Sequence, residues 1–168
     1  ADVSGKKEMI HDVGVIMAEK IFQLPIRCQS SIKLLACVGS KCNKSMLRLF
    51  MCEEEGLHRG QETKMNDDNH DQFFDLDFAV DEGLLEKGEN NYSFAHDLIQ
   101  HSAYSLIPEN EQGQLHKRIG NLILKNAPYN RAEDALFLAV DQLNRGKAFI
   151  LVEEERKELA MLNLRAGE

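Results

Sequence analysis

No apolar run in this 168-residue chain approaches the roughly 18 residues that a membrane-spanning helix needs. No signal-peptide pattern opens it: the chain begins Ala1-Asp2-Val3 and is charged within its first seven residues. An initiator methionine is also missing, and both ends are charged, helix-like sequence. The chain therefore reads as a segment of a longer, cytoplasmic protein. The four cysteines, Cys28, Cys37, Cys42 and Cys52, include no Cys-x-x-Cys pair. That spacing would mark a zinc or redox site; without it, reduced thiols are expected. Among the six histidines no pair has the His-x-x-x-His spacing. His96 and His101, five residues apart, would point about 140° apart on a helix, too divergent for one metal ion. Basic residues are in deficit: Lys+Arg number 20 against 28 Asp+Glu, a net charge of −8. An acidic chain is a poor non-specific ligand for nucleic acid or an anionic membrane.

What is present is a globular composition, 43% hydrophobic and 29% charged, with room for one ordinary domain or two small ones. Helical periodicity dominates. Met9, Val13, Ile16, Met17 and Ile21 recur at spacings of three and four and predict an amphipathic helix over 6–23. Pro25 ends it and can open a second helix in its first turn, Ile26 to Val38, which Gly39-Ser40 closes. Asn43 or Ser45 is positioned to cap a third helix, with Met46, Leu47, Phe50 and Met51 as its apolar stripe and Glu53-Glu54-Glu55-Gly56 as its end. Residues 57–72 are polar and predict a loop, followed by a helix from about Phe73 to Gly83. Leu84–Lys87 and Tyr92–Phe94, joined by Gly88-Glu89-Asn90-Asn91, predict a small hairpin.

Further helices are expected from about His96 to Leu106, from Pro108 to about Asn126, from Ala132 to Asn144, and from Val152 to about Arg165. Ala127–Asn130 breaks the series, and Arg145-Gly146-Lys147 links the last two helices as an antiparallel pair. Three helices, a hairpin and a helix follow the order of a winged helix; the later helices look like the start of a helical array. The expected fold is thus mainly α, with a hairpin wing. Leu34, Leu35, Val38, Leu47, Phe50, Phe78, Leu84, Phe94, Leu98, Ile99 and Tyr104 are assigned to the core.

Two stretches imitate parts of a nucleotide-hydrolysing site. Gly39-Ser40-Lys41-Cys42-Asn43-Lys44-Ser45 approximates a phosphate loop, but aligned on Lys44-Ser45 it is one residue short. Asn43 also stands where a second Gly must let the backbone wrap the phosphates. A turn between helices explains it better. Phe78-Ala79-Val80-Asp81-Glu82 imitates a strand ending in Mg²⁺-binding acids, yet an amphipathic helix with its acids in solvent accounts for it. A winged helix commonly reads DNA, which requires Lys and Arg against phosphate. From Glu53 to Glu86 there are twelve acidic residues against only Arg59 and Lys64, so charge repulsion opposes docking. Phe94-Ala95-His96-Asp97-Leu98 is different: an aromatic strand ends and His-Asp opens a helix. Asp97 suits the positive end of the helix dipole, and His96 can present a ring N–H to an anion beside the first backbone amides, or serve as a packed cap.

The stretches Leu24-Pro25, Leu34-Leu35-Ala36-Cys37-Val38-Gly39, Asp81-Glu82-Gly83-Leu84-Leu85 and Tyr92-Ser93-Phe94-Ala95-His96-Asp97-Leu98-Ile99-Gln100 continue into Ala103-Tyr104-Ser105-Leu106-Ile107-Pro108-Glu109 and Leu115-His116-Lys117-Arg118-Ile119-Gly120. Gln142-Leu143-Asn144-Arg145-Gly146 and Leu159 to Gly167 complete the set. In this order and spacing they resemble the region that follows the nucleotide-binding core in STAND-type (AAA-related) signalling ATPases. The nearest variety is that of the large ATPases fused to serine/threonine kinase, GAF and histidine kinase modules. The resemblance covers about residues 20–168.

The resemblance implies a connecting helix from an upstream ATPase core at 1–23, a winged helix at 24–107, and a helical scaffold at 108–168 that begins tetratricopeptide-like repeats. In such proteins the winged helix packs on the nucleotide-binding core and holds the ADP-bound state. Related apoptotic and immune-receptor ATPases carry Met-His-Asp at this place, with the His approaching the ADP phosphate. Here Ala95 replaces the Met, while His96 and Asp97 match. The implied roles are a hydrogen bond from His96 to the ADP phosphate and orientation or capping of the helix start by Asp97. The phosphate loop and Mg²⁺-binding acids of such proteins lie N-terminal to this region. The segment is therefore expected to be non-catalytic and without a cofactor of its own; ADP or ATP with Mg²⁺ belongs to the parent. Its implied partners are its own upstream nucleotide-binding domain and the downstream repeats, with no nucleic acid and no membrane. The alternatives are a winged-helix DNA-binding module, a small phosphate-loop enzyme, and an interaction scaffold in which His96 is inert.

Overall fold

A computed structural model describes residues 3–58, 74–126 and 132–167. The described chain is mainly helical, with one small three-stranded antiparallel sheet. It divides into two compact units, Ala1–Leu106 and Ile107–Glu168. The predicted polar loop, apart from 57–58, and the predicted break at 127–130 lie outside the described residues. No helix among the described residues is long and apolar enough to cross a membrane.

The first unit opens with α1 (Val3–Phe22) and α2 (Ile26–Val38), separated by a proline break. Pro25 has no N–H to continue α1, and it sits at the N-cap of α2 rather than in its first turn. The carbonyls stranded by this break are met by buried Gln29, whose Nε2 donates to Phe22 O (3.0 Å) and Leu24 O (2.9 Å). Gly39, at φ 150°, closes α2 and donates its N–H to Leu35 O. Next come β1 (Lys41–Asn43) and α3 (Lys44–His58). Asn43 caps α3: its Oδ1 accepts the Met46 N–H at 2.7 Å. The helix runs through Gly56 to His58, beyond the predicted stop at the acidic run.

α4 (Phe74–Asp81) is ended by Gly83, whose positive φ of 71° suits a residue without Cβ. The Leu84 N–H returns to Ala79 O and the Gly83 N–H to Val80 O, the paired bonds of a Schellman stop. β2 (Leu85–Lys87) and β3 (Asn91–Phe94) form the predicted hairpin. β1 is an addition that sequence periodicity does not reveal. It pairs antiparallel with the other side of β3, Cys42 opposite Tyr92, so the strand order is β1-β3-β2. Alternation along the strands turns Cys42, Tyr92, Phe94 and Leu85 inward and sends Lys41 and Glu86 to solvent. α5 (Asp97–Ser105) follows and packs on α1 and α2, so α1 belongs to this unit's own packing.

Most of the assigned core is buried, including Leu34, Leu35, Leu47, Phe50, Leu84, Phe94 and Ile99. Phe78 is the exception: it is 38% exposed, because the inward face of α4 is taken by Leu76 and Ala79. Val38, Leu98 and Tyr104 are only half-buried. Tyr92, counted in the sequence only as a strand residue, is fully buried.

In the second unit α6 (Glu109–Asn126), α7 (Ala132–Arg145) and α8 (Glu153–Ala166) are joined by a short 3-10 turn, Lys147–Phe149, inside the α7–α8 link. Leu143, Ile150 and Leu159 form a core cluster, with Leu124 and Leu162 against it. α6 and α7 approach through glycine. A Cβ on Gly120 would lie 2.7 Å from Leu143 Cγ; one on Gly146 would lie 2.6 Å from both Gly113 O and Lys117 N. α8 is tied in by Lys117 Nζ to Glu155 Oε2 (2.8 Å) and by Arg156 Nε donating to Ile150 O (2.8 Å).

Gly146→Ala places a methyl group against backbone atoms that cannot rotate away, although its φ of −88° tolerates alanine. We expect a loss of about 1–3 kcal/mol, the usual cost of overpacking, read by urea unfolding. In the first unit, Phe94→Ala should cost about 3–5 kcal/mol and lower the thermal midpoint; an unchanged midpoint would mean that the hairpin is not anchored through Phe94.

Candidate functional site

The start of α5 is where the predicted site residues meet the fold. β3 carries the chain there between two partners: the Phe94 N–H donates to Ser40 O (2.9 Å) and the Ala95 N–H to Leu84 O (3.1 Å). Phe94 is buried; Ala95, His96 and Asp97 are exposed. His96 is extended, at φ −154° and ψ 146°, the backbone conformation of an N-cap. Its carbonyl accepts the Ile99 N–H at 2.9 Å, and its ring Nδ1 accepts the Leu98 N–H at 3.1 Å.

The cap is therefore His96 itself; Asp97 is the first residue of the helix, where its charge complements the dipole. The Leu98 amide, expected to be open to an anion, is occupied by the ring. Accepting at Nδ1 requires a lone pair there, so in this arrangement the ring proton sits on Nε2. His96 thus combines a cap with one remaining donor, Nε2–H, on an exposed residue. α5 is held below this point by the Gln100 side chain, whose Nε2 donates to Ala36 O (3.3 Å), and by Ile99, Ser102 and Ala103, all buried.

The two lookalike motifs have other roles. Gly39-Ser40 precedes β1 instead of following a strand, and Lys44 is the first residue of α3 directly after that strand. No loop stands between strand and helix to cradle a phosphate. Lys44 Nζ donates to Glu89 O (2.8 Å) in the hairpin turn and lies 5.5 Å from the centre of the Tyr92 ring. Phe78–Asp81 is helical, and Asp81 and Glu82 are exposed at its end. Among the described residues no three His, Cys, Asp or Glu converge as metal ligands.

Sequence reasoning missed a polar cluster beneath the hairpin. The Tyr92 hydroxyl donates to Asp77 Oδ1 (3.1 Å), and Lys87 Nζ donates to both Asp77 oxygens (2.8 and 2.9 Å). The hydrogen bond to Asp77 raises the Lys87 ammonium above its ordinary value. Burial, with the Asp77 charge second, pushes the Tyr92 phenol up to about 12. Burial likewise pushes the Cys42 thiol up to about 12. Both groups are neutral at physiological pH, so the thiol lacks the thiolate that nucleophilic chemistry needs. Cys28, Cys37 and Cys42 are buried thiols outside any disulfide.

A second missed pair lies in the second unit. His116 Nδ1 and Gln142 Oε1 are 2.7 Å apart, and the two residues are 1% and 0% exposed. The signal was present in the sequence: His116 lies on the apolar side of α6 with Ile119 and Ile123. Its partner on α7 could not be read from spacing. Comparisons with protein-family models, curated proteins and solved structures find no match to this chain.

His96→Ala should weaken the start of α5 by about 0.5–2 kcal/mol, whereas His96→Asn keeps an acceptor for the first turn and should lose only a few tenths. Hydrogen exchange of the Leu98 amide distinguishes the two variants.

Proposed function

We propose that this chain is a non-catalytic regulatory segment of a STAND-type signalling ATPase, packing on an upstream nucleotide-binding core and helping to hold its ADP-bound state. Its first unit acts as a winged helix, and its second begins a tetratricopeptide-like scaffold. The element order α2–β1–α3–α4–β2–β3, with β3 between its two neighbours, supports the winged-helix reading. The observation that carries the functional reading is the chemistry of His96: one ring nitrogen caps α5, and the other is left as a donor on an exposed residue. A neutral imidazole N–H at a helix N-terminus is suited to a phosphate oxygen, because donor and dipole act in the same direction.

The DNA-binding alternative is disfavoured by α4, which lies just before the hairpin. Its eight residues include Asp75, Asp77 and Asp81 and no Lys or Arg, so a groove-reading role would bring carboxylates toward phosphates. A gel shift at nanomolar protein and low salt should show no complex with duplex DNA.

The deciding experiment measures ADP retained by the purified longer parent. A hydrogen bond to a charged group contributes about 1.5–3 kcal/mol, which corresponds to roughly 10- to 100-fold in retention. His96→Ala should lose ADP by that factor. His96→Asp should lose it as well, although it preserves a capping acceptor, because it removes the donor and adds a charge that repels phosphate. If both variants hold ADP as tightly as wild type, His96 is a structural cap and the segment is a scaffold.

A further inference from the structure

We infer that the α6–α7 crossing of the second unit is an acid-opened latch, closed while His116 is neutral and released when it takes a proton. The geometry is that of an interface with no slack. His116 on α6 and Gln142 on α7 are both fully buried, and their side chains meet at 2.7 Å across the crossing. With neutral His116, Nδ1–H donates to the Gln142 carbonyl oxygen, and neither group carries a charge into the interior.

Glycines bracket the pair. Gly113 and Gly120 lie three residues before and four after His116, on the same face of α6. A Cβ at Gly120 would come within 3.1 Å of Ala139 O on α7, while at Gly113 the neighbour is the Phe149 ring of the 3-10 turn, at 2.4 Å. Gly146 sits as closely against the α6 backbone. Contacts this tight leave little room for water to solvate an imidazolium, so a charge at His116 favours separation of the helices.

Two charges on α7 act on His116 in opposite senses. From α7, Arg145 opposes the imidazolium and Asp141 favours it, but the two are paired with each other at 3.0 Å. On α6 itself, Lys117 is engaged by Glu155 of α8 at 2.8 Å, and Arg118 follows it in the chain. The 3-10 turn contributes Lys147, which is exposed. Burial therefore dominates and holds the His116 pKa below its ordinary 6.5, with the Gln142 hydrogen bond working against it. The sign follows from linkage. When the folded value is depressed, the unfolded or opened state binds the proton more tightly. The stabilisation is complete above the ordinary histidine value and is lost as pH falls below it.

The test is hydrogen exchange of the full 168-residue chain, corrected for intrinsic rates, at about pH 7.5 and about pH 5.5, spanning the histidine range. Protection of α6 and α7 should fall in acid, by up to about tenfold per pH unit below the ordinary value, the limit for one proton. His116→Leu combined with Gln142→Leu removes the titrating group and its partner together, and should abolish the acid response. Because that variant can fail to fold, Gln142→Glu supplies an independent check. A carboxylate facing His116 should raise its titration midpoint, read by NMR of the ring, and make α6 and α7 better protected in acid relative to wild type. Equal protection of wild type at both pH values, an unchanged acid response in the double variant, or an unmoved His116 midpoint in Gln142→Glu would overturn the inference.

Discussion

The four residues of β3 are the part of the first unit on which the rest depends. A single strand pairs on both sides, with β1 along one edge and β2 along the other, and so ties the hairpin to a strand far earlier in the chain. Its inward residues, Tyr92 and Phe94, supply large buried area. Its end also delivers His96 to the N-cap of α5 with the backbone still extended, which lets the ring fold back onto the Leu98 amide. The position of the candidate site is thus a consequence of sheet pairing. Loss of β3 would remove the anchor and the cap together.

Tyr92 shows how polar and apolar demands are met in one residue. Its ring is buried, two lysine ammoniums lie 5.5 and 6.0 Å from the ring centre, and its hydroxyl reaches Asp77 on α4. A buried hydroxyl without a partner would cost more than the bond itself contributes, so Asp77 is as much a part of the core as the aliphatic residues around it. The acidic side of α4, which looks in the sequence like a solvated face, is in this place a structural clamp on the hairpin.

The second unit is organised on a different constraint, the close approach of α6 to α7 at Gly120 and to the turn after α7 at Gly113 and Gly146. Close approach gains dispersion contacts but requires every polar group within it to be satisfied locally. His116 and Gln142 meet at 2.7 Å inside it, a hydrogen bond that survives protonation of the ring but then carries a charge into the buried crossing. The same contact that makes the crossing specific therefore makes it sensitive to protonation.

Local chemistry by itself determined most of the helices. Their periodicity marks where they run, Pro25 and Gly39 bound α2, Asn43 caps α3, and Gly83 and the Gly88–Asn91 turn frame the hairpin; all are decided by residues within a turn or two of one another. The candidate site was legible to the same extent: His96-Asp97 at a helix start is a local pattern. Only the tertiary structure decided that Lys41–Asn43 is a strand, that Tyr92 rather than Phe78 enters the core, that His96 and not Asp97 is the cap, and that His116 finds Gln142. Each of these depends on what a distant segment offers once the chain has closed upon itself. A three-residue strand has too few residues to show a period, and a ring or amide has no partner until another element brings one.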